Sequence, residues 1–407
     1  MIVTTKKQTL VKLTTNFMMD LATRTWILVT STMYVDLLYG QNLTDIKSLH
    51  SDLFTGHNNE IMPVLDYTKP LTIGVAFHIA SFNYFHEVEE SISLTAALTL
   101  NWTDPSMAWD PALYGNTQYM IINSKKLWLP RIFLVSKIDS MKPVGHNTDS
   151  FTTIRSNGEV WYLPGGILVS KCPTDISKFP FDTQTCRLAF SSRGILSSNL
   201  ILSSVYEKAV LKFFTPHSDW TLQEYTTSDG YEPQSGYHIF HVKITIKRQP
   251  LYHVVMVILP TLLFALINPL VFVLPIDSGE RVSLSITIML SYVMFLGLVS
   301  SSIPASSNPM SALLIMMVII IFISGVIVIG TIIDTKYFFL QDTKKFGYML
   351  TALVRIIYKK GIVPVNKNQD STVTGKDIAE ALDSLFFYGT YAVFLLVFFV
   401  YFVYVSA

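Results

Sequence analysis

Asp277-Ser-Gly-Glu-Arg-Val-Ser-Leu-Ser-Ile-Thr-Ile-Met-Leu-Ser-Tyr-Val-Met-Phe-Leu-Gly-Leu-Val-Ser-Ser-Ser-Ile-Pro304 decides how the rest of the chain is read. Residues 282–302 are 21 in a row without a charged side chain, long enough to cross a bilayer as one helix. The run is unusually polar for a helix that faces lipid. Ser283, Thr287 and Ser291 stand four residues apart, so in a helix they share one face, with Glu280 just below. Leu290, Met294, Leu298 and Ser301 fall close to the same face. A stripe ordered carboxylate, hydroxyl, hydroxyl, Leu, Met, Leu, hydroxyl suits a water-filled path better than hydrocarbon. One helix encloses nothing, so such a path needs several copies of the chain, or of its relatives, around it. The alternative is a buried span whose hydroxyls bond back to carbonyls of their own helix.

The chain has 407 residues, enough for two domains. Half of it is hydrophobic and only 14% is charged, below the roughly 25% usual in soluble globular domains. The net charge of +1 offers no electrostatic case for a nucleic-acid partner. Its two cysteines, Cys172 and Cys186, are an even pair in the half without long apolar runs, which fits one disulfide in an exported domain. Asn42-Leu-Thr and Asn101-Trp-Thr are sequons compatible with export, although Trp102 reads as a core residue beside the second. His86-Glu-Val-Glu-Glu lacks the second histidine of a zinc protease, and no phosphate-cradling glycine motif occurs, so neither a metal, a cofactor nor an enzyme activity is expected.

In chain order, 1–40 reads as a signal peptide with an overlong charged region, or alternatively as a short N-terminal helix. Within 41–250 no apolar run is long enough to span a membrane. Strand-like alternation recurs at 71–77, 92–100, 132–135, 159–163, 185–190 and 236–247, separated by turn-formers such as Ser156-Asn-Gly158 and Pro164-Gly-Gly166. That pattern predicts an antiparallel β-sandwich, preceded by a short helix near 45–55. Three spans follow in 251–335: the first is interrupted by Pro260 and Pro269, the second is the polar run, and the third is rich in Ile, Val and Met. Residues 336–384 carry Lys336, Lys344, Lys345, Arg355, Lys359, Lys360, Lys367 and Lys376, the mark of a cytoplasmic connection. There, 346–358 reads as an amphipathic surface helix, 363–374 as a linker, and 376–385 as a lead-in continuous with the last span. The fourth span, in 385–407, is crowded with Phe and Tyr, as suits a helix facing lipid. Four spans after an exported sandwich put both ends of the mature chain outside.

Between Cys172 and Cys186 lie 13 residues, with Phe179-Pro-Phe-Asp182 near the middle. That spacing and tip, ahead of four spans, resemble the Cys-loop pentameric ligand-gated channels. Trp102-Thr-Asp with Trp109 resembles the family's tryptophan–aspartate segment, and Trp128-Leu-Pro its Trp-x-Pro. Tyr162-Leu-Pro-Gly-Gly precedes the loop as in nicotinic subunits. Arg248-Gln-Pro-Leu-Tyr252 and Asp277-Ser-Gly-Glu-Arg281 resemble the entries to their first and second spans. The resemblance runs from about residue 68 to 335 and resumes in the fourth span.

It implies an extracellular antiparallel β-sandwich followed by a four-helix transmembrane domain, assembled as a homo- or hetero-pentamer with related subunits in the plasma membrane, and allows a postsynaptic place. It also implies a small-molecule agonist, monovalent cations as the permeant species and lipid around the spans. Glu280, Ser283, Thr287, Leu290, Met294, Leu298 and Ser301 would line the pore, Asp277 and Glu280 would select cations, and Leu290 would be the gate. Arg281 would turn away from the axis, since otherwise it would cancel Glu280. Glu87 would pair with Arg248, and Phe179, Pro180, Phe181 and Asp182 would couple the sandwich to the spans. Read from the residues alone, the apolar loop tip fits either core packing or docking on the membrane domain, and the pair an ordinary surface salt bridge. At the agonist site Ala97 replaces a tryptophan, Val135 a tyrosine and Arg193 the central tryptophan; Tyr237 is retained, and Trp161 and Leu163 match complementary-face positions. These departures imply an agonist other than acetylcholine, or a non-conducting accessory subunit as the alternative.

Overall fold

The computed structural model describes residues 42–136, 142–146, 150–301, 303, 309–339 and 375–406. The expected signal segment at 1–40, the surface helix at 346–358 and the linker at 363–374 lie outside the described residues.

Asn42 opens the described chain by accepting a hydrogen bond from the Thr44 N–H, which caps helix α1 (Leu43–Phe54). Only Leu49 of this helix is buried, and it anchors α1 on the core of the strands that follow. Those strands are β1 (Leu71–His86), β2 (Ser91–Ala108), β3 (Tyr119–Asn123), β4 (Ile132–Leu134), β5 (Phe151–Arg155), β6 (Asn157–Tyr162), β7 (Gly165–Lys171), β8 (Thr183–Ser192), β9 (Leu200–Ser204), β10 (Trp220–Glu232) and β11 (Tyr237–Arg248). One sheet runs β3-β5-β6-β2-β1-β9, with β7 also paired to β2, and the other runs β10-β11-β8-β4. Pairing is antiparallel except between β1 and β9. The inner faces close over one apolar core, in which Phe190 stands 5.6 Å from Phe77 and 6.2 Å from Phe240 between ring centres. Each such buried side chain is worth about 1.5–3 kcal/mol against exposure, so the inward face of every strand is strongly specified.

Each of the six segments with visible alternation falls in a strand, with Val135, Leu163 and Gly236 just outside the strand ends. Pro164-Gly-Gly166 departs from expectation: it starts β7 rather than making a free turn, with Gly165 paired to Ala97. A Cβ on Gly165 would stand 2.8 Å from the Ala97 Cβ, so glycine is there for close backbone approach. Cys172 and Cys186 are bonded, with Cα atoms 5.0 Å apart. Closing their loop is worth about 3 kcal/mol in the entropic account.

Among the described residues, four helices are long and apolar enough to cross a membrane: α2 (Leu251–Val273), α3 (Glu280–Ser301), α4 (Ala312–Phe338) and α5 (Gly375–Ser406). Both prolines of α2 leave their mark. Residues Val254–Ile258, just ahead of Pro260, form a π turn, and Asn268–Val273, with Pro269 second, tightens to 3₁₀ geometry. Thr261 Oγ1 donates to the Val257 carbonyl at 2.8 Å. The expected lead-in and fourth span are one continuous helix, α5.

Candidate functional site

Helix α3 has two unlike faces. Arg281, Ser285, Ile288, Tyr292 and Val299 are buried. Ser283, Thr287, Leu290, Ser291, Met294, Leu298 and Ser301 are exposed, with Leu290, Met294 and Leu298 open to 59%, 67% and 70%. Glu280 lies at the foot of the exposed face, and Asp277 is exposed in the turn before it. Gly279 makes that turn with φ of 70°, a conformation glycine adopts without a Cβ clash. The hydroxyls do bond back to their own helix: Thr287 Oγ1 donates to the Ser283 carbonyl and Ser291 Oγ to that of Thr287, each at 2.8 Å. They are nonetheless exposed. The protons are therefore committed inward, and the oxygens keep lone pairs for whatever lies outside.

Arg281 turns to the opposite side. Its Nη1 and Nη2 donate to the two carboxylate oxygens of Asp383 on α5 at 2.7 and 2.8 Å, Nη2 also reaches the Phe272 carbonyl at 3.0 Å, and Nε donates to the Leu274 carbonyl. Nothing in the sequence pattern pointed to Asp383, which stands 102 residues away.

At the other end of the helices, the Cys172–Cys186 loop docks. Ile176 and Phe179 belong to the apolar cluster of the spans, with Phe181 packed against it. Docking is thus the outcome for the loop tip, and packing within the sandwich core is not. Tyr401 of α5 donates its hydroxyl to the Phe179 carbonyl at 3.3 Å, and the Ala312 N–H that opens α4 donates to the Ser177 carbonyl at 3.1 Å. The His253 ring meets Phe179 edge to face at 5.0 Å. Phe179-Pro180 is a cis bond.

Arg248 ends β11 directly above this contact. Its Nη1 lies 2.7 Å from Glu87 Oε1, and its Nε and Nη2 meet both oxygens of Asp182 at 2.8 and 3.2 Å. Asp182 also accepts from Gln184 Nε2 at 2.6 Å. The guanidinium stacks 4.3 Å from the Trp220 ring and 4.9 Å from the Phe179 ring. The side chains of Arg248 and Asp182 are 4% and 2% exposed, so this is a buried charge cluster rather than the ordinary surface salt bridge of the bland reading. Burial alone would lower the basicity of Arg248, but Asp182 and then Glu87 more than offset it and hold the guanidinium above the ordinary arginine value. Trp220 and Tyr401 were not foreseen, because each reaches the junction from another element, and nothing in the local pattern marked His253, five residues after Arg248.

The six expected agonist-site residues divide between the sheets. In one sheet, Val135 follows β4, Arg193 follows β8 and Tyr237 starts β11, where the β8–β11 register brings the last two to the same end. In the other, Ala97 lies in β2, Trp161 in β6 and Leu163 just beyond it. Trp161 and Leu163 are exposed, and the Arg155 guanidinium lies 5.5 Å over the Trp161 ring. Of the sequons, Asn42 is exposed at its helix cap. Asn101 is half-buried in the middle of β2, its amide filling the space that a Cβ on Gly74 would need.

Residues 46–250 match the family model of the neurotransmitter-gated ion-channel ligand binding domain, and residues 257–346 that of the neurotransmitter-gated ion-channel transmembrane region. The acetylcholine receptor subunit alpha-1-B of Xenopus laevis is 28% identical over 296 residues, covering 71% of this chain and 64% of that protein. The beta-type subunit acr-2 of Caenorhabditis elegans is 30% identical over 300 residues, covering 72% and 51%. The neuronal subunit beta-2 of Carassius auratus is 30% identical over 263 residues, covering 64% and 57%. The matches thus span between about half and two thirds of these relatives' lengths. With both family models matched in order, and with a sandwich joined to four membrane-spanning helices through a docked disulfide loop, the chain is a multi-pass membrane protein that belongs to the neurotransmitter-gated, or Cys-loop, ion-channel family.

Proposed function

We propose that the chain is a pore-forming subunit of a ligand-gated, cation-selective channel, a homo- or hetero-pentamer of the plasma membrane with the sandwich and both chain ends outside. The observation that carries this reading is the open face of α3, where hydroxyl protons are spent on the helix and oxygen lone pairs remain for a passing cation. Five copies of Glu280 at the inner mouth, with Asp277 close by, attract cations and repel anions, while Arg281 is engaged on the other side of its helix. Leu290 sits midway along the open face. A ring of such side chains offers no partner to a dehydrating ion, so the path closes by dewetting when the helices approach. Agonist binding in the sandwich reaches the helices through the Glu87–Arg248–Asp182 cluster and the docked tip at Phe179, Pro180 and Phe181. The accessory-subunit reading draws its support from the altered agonist site, whereas the intact polar face and Glu280 favour conduction.

The relatives are named as acetylcholine receptors, but an agonist of different chemistry suits this chain. A quaternary ammonium is held by a cage of aromatic faces, each worth roughly 0.5–2 kcal/mol. Ala97, Val135 and Arg193 stand where three of those rings would be, and Tyr237 remains. The loss amounts to about 2–5 kcal/mol, a factor of tens to several thousand in affinity. Arg193 adds repulsion for a cation and attraction for an acidic or zwitterionic ligand.

Voltage-clamp recording on cells expressing the chain tests the reading. Leu290→Ser is expected to hydrate the constriction and produce leak current or easier activation. In that background the reversal potential should follow sodium, Glu280→Ala should weaken cation preference, and Asp277→Asn should weaken it less. A reversal potential that tracks chloride would overturn cation selectivity, and surface-expressed Leu290→Ser receptors that behave like the parent would remove Leu290 as the gate.

Breaking the buried ion cluster tests its structural weight. Asp182→Asn leaves a buried guanidinium short of a carboxylate, a loss on the scale of 3–5 kcal/mol, whereas Glu87→Gln, at a partly exposed residue, should cost less. Thermal midpoints of the detergent-solubilised receptor measure both; midpoints equal to the parent's for the two variants would show that the cluster does not hold the junction.

Acetylcholine dose–response curves check the agonist argument. Homomers should stay silent at micromolar acetylcholine. Robust micromolar currents would mean that the positions assigned to the aromatic cage are wrong.

A further inference from the structure

We propose that Asp383 on α5 is a positioning residue for ion selectivity, acting through Arg281; the proposal rests on the cation-selective reading above. Arg281 follows Glu280 directly in the chain, so the residue expected to attract cations has a permanent cation as its neighbour. Arginine stays charged under all working conditions and its side chain is long and flexible. Left to itself, such a guanidinium would gain by bonding the adjacent carboxylate at the mouth, and one Arg281 per subunit would neutralise the Glu280 ring one for one.

The geometry removes that option. Both carboxylate oxygens of Asp383 engage the guanidinium, at 2.7 and 2.8 Å, in the two-point form that fixes direction as well as distance. Carbonyls of Phe272 and Leu274, at the end of α2 and just beyond it, accept from the remaining face. One carboxylate and two carbonyls thus hold the guanidinium on the side of α3 away from the exposed stripe. Burial of Arg281 follows: it is 3% exposed although it is charged and next to an exposed turn. The outer helix α5, which has no residue on the α3 stripe, thereby sets the charge felt at the mouth.

Reversal potentials in diluted sodium chloride test this, recorded in the Leu290→Ser background with surface biotinylation of every variant. Asp383→Asn is expected to move the reversal potential toward that of chloride. Adding Arg281→Gln to Asp383→Asn should restore cation preference to at least the parent's, because no guanidinium remains to swing toward Glu280. A merely structural role for Asp383 would change receptor number without moving the reversal potential. If Asp383→Asn instead fails to reach the surface, Arg281→Gln should rescue its surface level, since an unpaired buried guanidinium would be the cause; no rescue would overturn the proposal. Surface-expressed Asp383→Asn receptors with the parent's reversal potential would also overturn it while leaving cation selectivity standing. A chloride-following parent would overturn both.

Discussion

The guanidinium of Arg248 is the point on which the two halves of the chain depend. A cation at 4% exposure is tolerable only when every direction is filled, and here each is. Glu87 at the β1–β2 turn and Asp182 in the disulfide loop supply charge, and Trp220 and Phe179 supply the faces of the guanidinium plane. These partners come from three separate stretches of sequence, one of them the loop tip, and Arg248 itself ends the strand that runs on into α2. Any rigid shift of the sandwich against the helices has to disturb at least one of them. The loop tip adds a second fastening, since Phe179 is in the apolar cluster of the spans and its carbonyl accepts from Tyr401. Strong ties on both sides of one peptide segment make the junction suited to transmitting a displacement rather than absorbing it.

Helix α3 solves a related problem along its length. It needs one face that packs on α4 and one that stays wet, and its small hydroxyl residues serve on both. Ser285 is buried, donating to the Val282 carbonyl at 2.9 Å and lying 3.4 Å from the Thr331 hydroxyl. Thr287 and Ser291 make the same kind of backbone bond on the open side. The chemistry is shared and only the surroundings differ, which is why hydroxyl content alone left two readings open. The two charged residues at the foot of the helix divide in the same way, Glu280 outward and Arg281 inward.

Much of this was legible in the sequence. Period-two alternation identified β1, β2, β4, β6, β8 and β11, because one face of each is buried and the other is not. Strand β10 was missed because Gln223 to Gly230 bury no side chain, so its residues carry no alternation to read. Strand β7 was missed because Gly165 and Gly166 resemble a turn, while the real constraint, at Gly165, is the close pass against Ala96 and Ala97 on β2. The open face of α3 and the pairing of Arg248 with Glu87 were readable from spacing and family resemblance. Asp383, Tyr401 and Trp220 were not. Each acts across a long loop closure, and a local pattern holds no information about which distant helix or strand will arrive there.

The central claim is that the exposed stripe of α3 faces water inside an assembled channel, and cysteine accessibility measures that most directly. Both native cysteines are tied up in the disulfide, so an introduced thiol reports alone. Ser283, Thr287, Met294 and Leu298, then Ser285, Ile288 and Tyr292, are replaced by cysteine one at a time, and receptors on intact cells are treated with a small charged thiol reagent. Modification of the first four with protection of the last three is the predicted result. Protection of all seven, or modification of Ser285→Cys and Ile288→Cys while Ser283→Cys and Thr287→Cys stay protected, would contradict it.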